Sequence, residues 1–209
     1  MKNPVLILAL AISGGAMALG LWSWQEWVKT SSGAQSQQWQ AATVLPQART
    51  LPAVELLDQK GQPYPSGQLK NQWHLLFFGF THCPDICPNT LALLAAINEA
   101  RSNNSQAAIQ MVFIYLDPQR DTPAKIKAYV EYFDKDMLGL TGSEAALAKL
   151  SSGLYLPYVI GEADANGYYN VDHSGSLVLL NPQGQVRAYF STPHRLEAIL
   201  QDLDKLTRS

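Results

Sequence analysis

The chain has 209 residues, of which 47% are hydrophobic, and its 15 lysines and arginines nearly balance 17 aspartates and glutamates for a formal net charge of −2. That length suits one domain of about 150 to 170 residues plus an N-terminal extension. The near-neutral balance, with no lysine or arginine cluster, argues against nucleic acid as a partner.

Residues 4–24, from Pro4-Val5-Leu6 to Leu21-Trp22-Ser23-Trp24, carry no charge. As a helix they span about 30 Å, the thickness of a bilayer core, and so read as a membrane segment or a signal sequence. Ala16-Met17-Ala18 resembles a signal-peptidase site, whereas Trp22, Trp24 and Trp27 suit an interfacial aromatic belt. The apolar run continues past the cleavage site, which favours a retained transmembrane anchor over residues 1–28. Lys2 precedes the segment, while Glu26 and Lys29 offset each other after it, so the positive-inside rule leaves the N-terminus cytoplasmic. The large domain then lies on the outer face; in a bacterium that is the periplasmic side of the inner membrane. There a close pair of thiols becomes a disulfide unless it is reduced or metal-bound. Residues 29–50, rich in serine, glutamine and alanine and without clear periodicity, read as a linker.

The globular domain is expected over residues 51–209. Val54-Glu55-Leu56-Leu57 before the turn Asp58-Gln59-Lys60-Gly61 predicts a short strand, and the apolar run Trp73 to Phe80 a buried one. Pro88 predicts the start of a helix through Leu91 to Ile97, followed by a second buried strand over Ile109 to Leu116. Thr122-Pro123 is a capping residue followed by proline, and Ile126, Tyr129, Val130 and Phe133 recur at helical spacing. A further helix is predicted near Glu144 to Leu150. Two strands are predicted around the turn Asn181-Pro182-Gln183-Gly184. A last helix is predicted from Thr192-Pro193, with Leu196, Ile199, Leu200, Leu203 and Leu206 on one face. Strand, helix, strand, helix, hairpin, helix is the order of an α/β, thioredoxin-like fold with a mixed sheet.

The chain's two cysteines sit together in Thr81-His82-Cys83-Pro84-Asp85-Ile86-Cys87-Pro88, between the first buried strand and its helix. With Pro88 as first helical residue, Cys87 is expected at the N-cap, where unpaired backbone N–H groups and the helix dipole favour its thiolate. Cys87 is therefore expected to be reactive or metal-ready, and the alternative of a plain disulfide or two inert buried thiols is disfavoured because inert thiols rarely combine strand end, helix start and close pairing. Thioredoxins carry CxxC here and a cis-proline in the loop before the hairpin. This chain has three residues between its cysteines, and that loop, Tyr169-Asn170-Val171-Asp172-His173-Ser174-Gly175, has no proline. On this fold His173 faces the cysteine pair. Two thiolates and an imidazole suit Cu(I), and also Cu(II) when water or a carboxylate joins. Zinc is the rival, although structural zinc usually takes four protein ligands. Asp172 is expected to orient or tune His173. His74, His82 and His194 read as structural side chains, and Arg120 as a partner of Asp117 or Asp121 that holds their loop.

FGFTHCPDICPNTL, LDPQRDTP, LTG at Leu140 to Gly142, and VDHSGSLVLLNPQG resemble the SCO/SenC family in order and spacing over about residues 51–205. The resemblance implies a membrane-tethered, thioredoxin-like copper protein that holds one copper through Cys83, Cys87 and His173. It also implies that the protein helps assemble the dinuclear copper centre of cytochrome c oxidase subunit II, with that subunit and a copper donor protein as partners; the anchor makes a monomer with transient partners the simplest expectation. Gln119 stands where the family often has glutamate, and Asn181 where it often has aspartate.

Three functions compete. A metallochaperone needs Cys83, Cys87 and His173 and turns over no substrate. A dedicated thiol–disulfide reductase that keeps the target's cysteines reduced needs the pair but not His173. A peroxidase or redox sensor needs an activating pocket that the sequence does not reveal.

Overall fold

The computed structural model describes Gly20, residues 22–25, 38–104 and 106–208. Most of the anchor expected over 1–28 lies outside the described residues. Among the described residues no helix is long and apolar enough to cross a membrane.

The elements follow the order β1 (Ala42–Thr50), β2 (Glu55–Asp58), β3 (Pro63–Pro65), β4 (Trp73–Gly79), α1 (Ile86–Asn103), β5 (Ile109–Tyr115), α2 (Pro123–Phe133), β6 (Leu138–Gly142), α3 (Glu144–Gly153), β7 (Val159–Ile160), β8 (Val171–Asp172), β9 (Leu177–Leu180), β10 (Gln185–Phe190) and α4 (Leu196–Thr207). One eight-stranded sheet has the order β1-β10-β9-β4-β5-β6-β2-β3, and β7 and β8 form a separate small ladder. β4, β5 and β6 run parallel, while β9, β10 and β1 extend the sheet antiparallel on one side and β2 and β3 on the other.

The hydrophobic pattern explains which strands are central. Leu75 to Phe78, Val112 to Tyr115 and Leu177 to Leu180 are all buried, the unbroken burial expected of strands covered on both faces. α1 packs against α2 and α4, and α3 against β2 and β6. α2 and α3 begin as helix-capping chemistry dictates: Thr122 accepts from the Lys125 N–H at 3.5 Å, and Ser143 from the Ala146 N–H at 3.2 Å.

Four expectations change. The compact unit starts at Trp39, and the linker read over 29–50 contains the whole of β1, an edge strand on β10. Its pairing breaks between Val44 and Arg49, around Pro46, which has no N–H to give to a ladder, and this obscures the strand pattern in the sequence. β6, which completes the parallel trio, went unread. α1 begins at Ile86 with Asp85 as its N-cap, so Cys87 lies inside the first turn and Pro88 follows it. Proline is tolerated there because N–H groups of a first turn have no intrahelical partner. Finally, α4 begins at Leu196, three residues later than Pro193, which leaves His194 in the preceding loop.

Candidate metal centre

β4 ends at Gly79, a position where nothing larger fits. A Cβ there would lie 2.6 Å from Cys87 Sγ and 2.8 Å from the Phe113 ring. The chain then turns through Phe80 to Cys87, with the Cys83 N–H donating to the Phe80 carbonyl at 3.4 Å. Cys87, in the first turn of α1, is fully buried and Cys83 is 9% exposed. From the other side the β7–β8 ladder, pairing Val159 with Asp172 and Ile160 with Val171, delivers His173 just beyond its end. The sulfurs of Cys83 and Cys87 and a ring nitrogen of His173 all lie within 4.8 Å of one another. His173 Nε2 is 3.6 Å from Cys87 Sγ. The imidazole meets Phe77 and Phe80 edge-on, each ring centroid 5.9 Å away. Cys83 and His173 edge a cleft of about 330 Å³, also lined by Phe80, Pro84, Asp85 and Ile86, while Cys87 lies buried behind it.

The two thiols differ, and in the opposite sense to the sequence expectation. Cys83 is held down at about 5, first by its hydrogen bond with Cys87 and further by the backbone N–H groups of Cys87 and Asp85 and by His173, against the opposing effect of burial. Cys87 is pushed up by that same hydrogen bond and by burial. The reason is geometric: a thiol inside the first turn does not cap the helix. The Cys87 N–H points outward to Cys83 Sγ at 3.4 Å, so Cys83 receives the positive end of α1.

Side-chain contacts from the loop after β5 join the three loops around the cluster. Asp117, fully buried, accepts from Arg120 Nε and from the Tyr169 hydroxyl at 2.9 Å. Arg120 also donates to the Tyr169 carbonyl at 2.9 Å and stacks on its ring at 3.5 Å. Asp121 accepts from the Thr81 backbone N–H at 3.0 Å and from the Thr81 hydroxyl. The loop after β5 thus grips both the approach to Cys83 and the segment leading to His173. The expected pairing of Arg120 with Asp117 is present, whereas the grip on Thr81 and Tyr169 has no short-range sequence signal.

Asp172 does not occupy the place expected of it. Its side chain is exposed at the cleft and accepts from Asn170 Nδ2 at 2.9 Å, while His173 Nδ1 faces the Ser174 carbonyl at 3.0 Å. His82 stays outside the cleft, 3.0 Å from the Thr81 hydroxyl, and His74 is buried in β4.

The SCO1/SenC family model matches residues 43–208. A protein of Stutzerimonas stutzeri named for copper binding is 40% identical over 163 residues, 78% of this chain and 79% of its own length. The mouse mitochondrial protein SCO2 homolog is 36% identical over 208 residues, 97% of this chain and 78% of its own. Among solved structures, copper-bound ScoI of Arabidopsis thaliana is 32% identical with a TM-score of 0.71, covering 76% of this chain and 98% of that one. Copper-bound yeast Sco1 is 26% identical with a TM-score of 0.72, covering 77% and 90%. The thioredoxin-like sheet, the cysteine loop at the end of its first parallel strand and the facing histidine are thus those of a member of the SCO1/SenC family, to which this chain belongs.

Proposed function

We propose that this protein is a membrane-tethered copper carrier in which Cys83, Cys87 and His173 hold one copper ion for delivery to the dinuclear copper centre of cytochrome c oxidase subunit II. One observation carries the reading: two sulfurs and an imidazole nitrogen within 4.8 Å of one another at a cleft. Around a trigonal ion, bonds of roughly 2.0–2.3 Å put the ligand atoms roughly 3.5–4.0 Å apart, so a contraction of about 1 Å would let one ion touch all three, and the 3.6 Å between Cys87 Sγ and His173 Nε2 already matches. Two soft sulfurs and one nitrogen favour Cu(I) over the oxygen-seeking cations.

The residues divide the work. Cys83, with the thiol most readily ionised and the greater exposure, is the sulfur a partner meets first; Cys87 anchors from beneath. Phe77 and Phe80 shield the imidazole from water, and the cleft leaves one side open to a partner's incoming ligand. Membrane tethering, periplasmic placement, a copper donor protein and a monomeric state complete the proposal, and rest on the N-terminal apolar run and on the family.

The test is copper stoichiometry and sulfur–nitrogen ligation by X-ray absorption on the reduced full-length chain loaded without oxygen. We expect one copper per chain, and a loss of affinity of at least about 100-fold in both His173→Ala and Cys83→Ser, since each removes a direct ligand. Copper affinity that survives His173→Ala sinks the three-ligand site.

The same pair supports a second reading, a thiol reductase for the target's cysteines, because an ionised Cys83 beside a protonated Cys87 is the arrangement that disulfide exchange uses. Cys83 attacks one sulfur of a target disulfide, Cys87 then displaces the target, and the target leaves with two thiols while Cys83 and Cys87 form the disulfide. This chemistry should persist in His173→Ala, and disulfide exchange without stable copper in the unaltered protein would make it the primary function.

A further inference from the structure

The contacts that aim His173 lead out of the metal cluster to a histidine on another loop. His173 Nδ1 lies 3.0 Å from the Ser174 carbonyl. A carbonyl only accepts, so Nδ1 carries the proton and Nε2 keeps its lone pair for the site. The orientation of the Ser174–Gly175 peptide therefore decides which imidazole nitrogen is free. The next carbonyl, that of Gly175, accepts from His194 Nε2 at 2.8 Å. His194 Nδ1 is buried, and among the described residues it has no hydrogen-bond partner, which leaves Gly175 as this ring's polar contact. The peptide is also pinched sterically: a Cβ on Gly175 would lie 2.7 Å from Thr192 Cγ2 and 2.9 Å from Ile86 Cδ1. Ile86 adjoins Cys87 in the first turn of α1, so the same few atoms set the position of the loop against the cysteines.

We propose that His194 is a positioning residue of the metal centre, holding the Gly175 carbonyl so that the 173–175 loop keeps Nε2 of His173 aimed at Cys87 with the proton on Nδ1. The proposal rests on the copper reading above. It gives His194, which the sequence marks as a bland side chain, a task that no metal ligand performs.

The experiment compares the full-length protein with His194→Leu, which removes the donor, His194→Gln, whose side-chain amide can donate to the same carbonyl, and His173→Ala. In the reduced, metal-free protein, nitrogen NMR of the His173 ring reports its tautomer; a Cu(I) chelator competition reports affinity. We expect His194→Leu to mix the His173 tautomers and weaken copper about tenfold, the usual scale for removing a residue that orients a ligand, and His194→Gln to restore both. A folded His194→Leu with unchanged tautomer and affinity overturns the proposal while the copper reading stands. A His194→Gln as impaired as His194→Leu also overturns it, since packing rather than donation would then be the cause. Copper binding that is absent in the unaltered protein, or unmoved in His173→Ala, overturns the copper reading and the proposal with it.

Discussion

Gly79 governs how closely Cys87 approaches the sheet. It is the last residue of β4, and the space its missing side chain leaves is filled by the Cys87 sulfur and the Phe113 ring. Phe113 in turn stacks on Phe77 at 5.4 Å, and Phe77 touches the His173 ring, so a displaced Phe113 is felt on both sides of the metal cluster. Gly79→Ala is therefore expected to cost about 1–3 kcal/mol, the scale of forcing an extra methyl into a packed core. It should also weaken copper binding, because either Cys87 or Phe113 must move. Denaturant unfolding of the metal-free protein and copper competition on the same sample check this together. Unchanged copper affinity in a destabilised variant would refute this coupling and show that the metal cluster does not depend on how Cys87 and Phe113 pack against residue 79.

At the level of elements, β1 shows how a segment with little apolar periodicity becomes a strand. Asp202, fully buried in α4, accepts from three successive backbone N–H groups, those of Gln40, Ala41 and Ala42, at 2.8, 2.8 and 2.9 Å. Lys205 approaches the same carboxylate at 3.6 Å. One carboxylate thus clamps the start of the edge strand to the last helix. Asp202→Ala should destabilise the domain by on the order of 3 kcal/mol, since bonds to a charged acceptor are among the stronger ones. Hydrogen exchange should show β1 and its β10 partners losing protection first; β1 amides that keep their protection would refute the clamp. The pairing of Asp202 with residues about 160 positions away explains why the strand was illegible in sequence. β6 was missed for a related reason: Leu138-Gly139-Leu140-Thr141-Gly142 is short and glycine-rich, and it is a strand because β5 and β2 flank it. By contrast β4, β5, β9 and α2 carried their own signals, an apolar run or a Thr-Pro start. The cysteines and His173 were legible because the fold order brings those two loops together. The helix start was not, because Pro88 is equally acceptable at the first or third helical position, and that single offset reversed which cysteine carries the low pKa.

Over the whole molecule, β4 links the site to the middle of the sheet. Its C-terminal end opens into the metal cleft, as the carboxyl ends of parallel strands commonly open into binding crevices. Near its other end His74 is 2% exposed, flanked by Leu180 of β9 and Gln110 of β5, and its Nδ1 is buried without a hydrogen-bond partner among the described residues. Burial pushes this imidazole from 6.5 down to about 4, against a smaller upward pull from the Gln72 backbone. The unfolded chain takes up a proton as pH falls through 6.5, but the folded chain does not do so until about 4, so between those values acid favours unfolding. At about 1.4 kcal/mol per pH unit the interval bounds the effect near 3 kcal/mol, and solvent penetration reduces it to roughly 1–2 kcal/mol. Replacing His74 with leucine removes the proton uptake. The stability difference between His74→Leu and the unaltered protein, both reduced and metal-free, should therefore shift in favour of the variant as pH is lowered from 7.5 to 4.5. Urea unfolding at the two pH values measures it. A difference that is constant across that range would mean that His74 takes up its proton alike in the folded and unfolded chains, and that the acid sensitivity of the fold lies in its carboxylates instead.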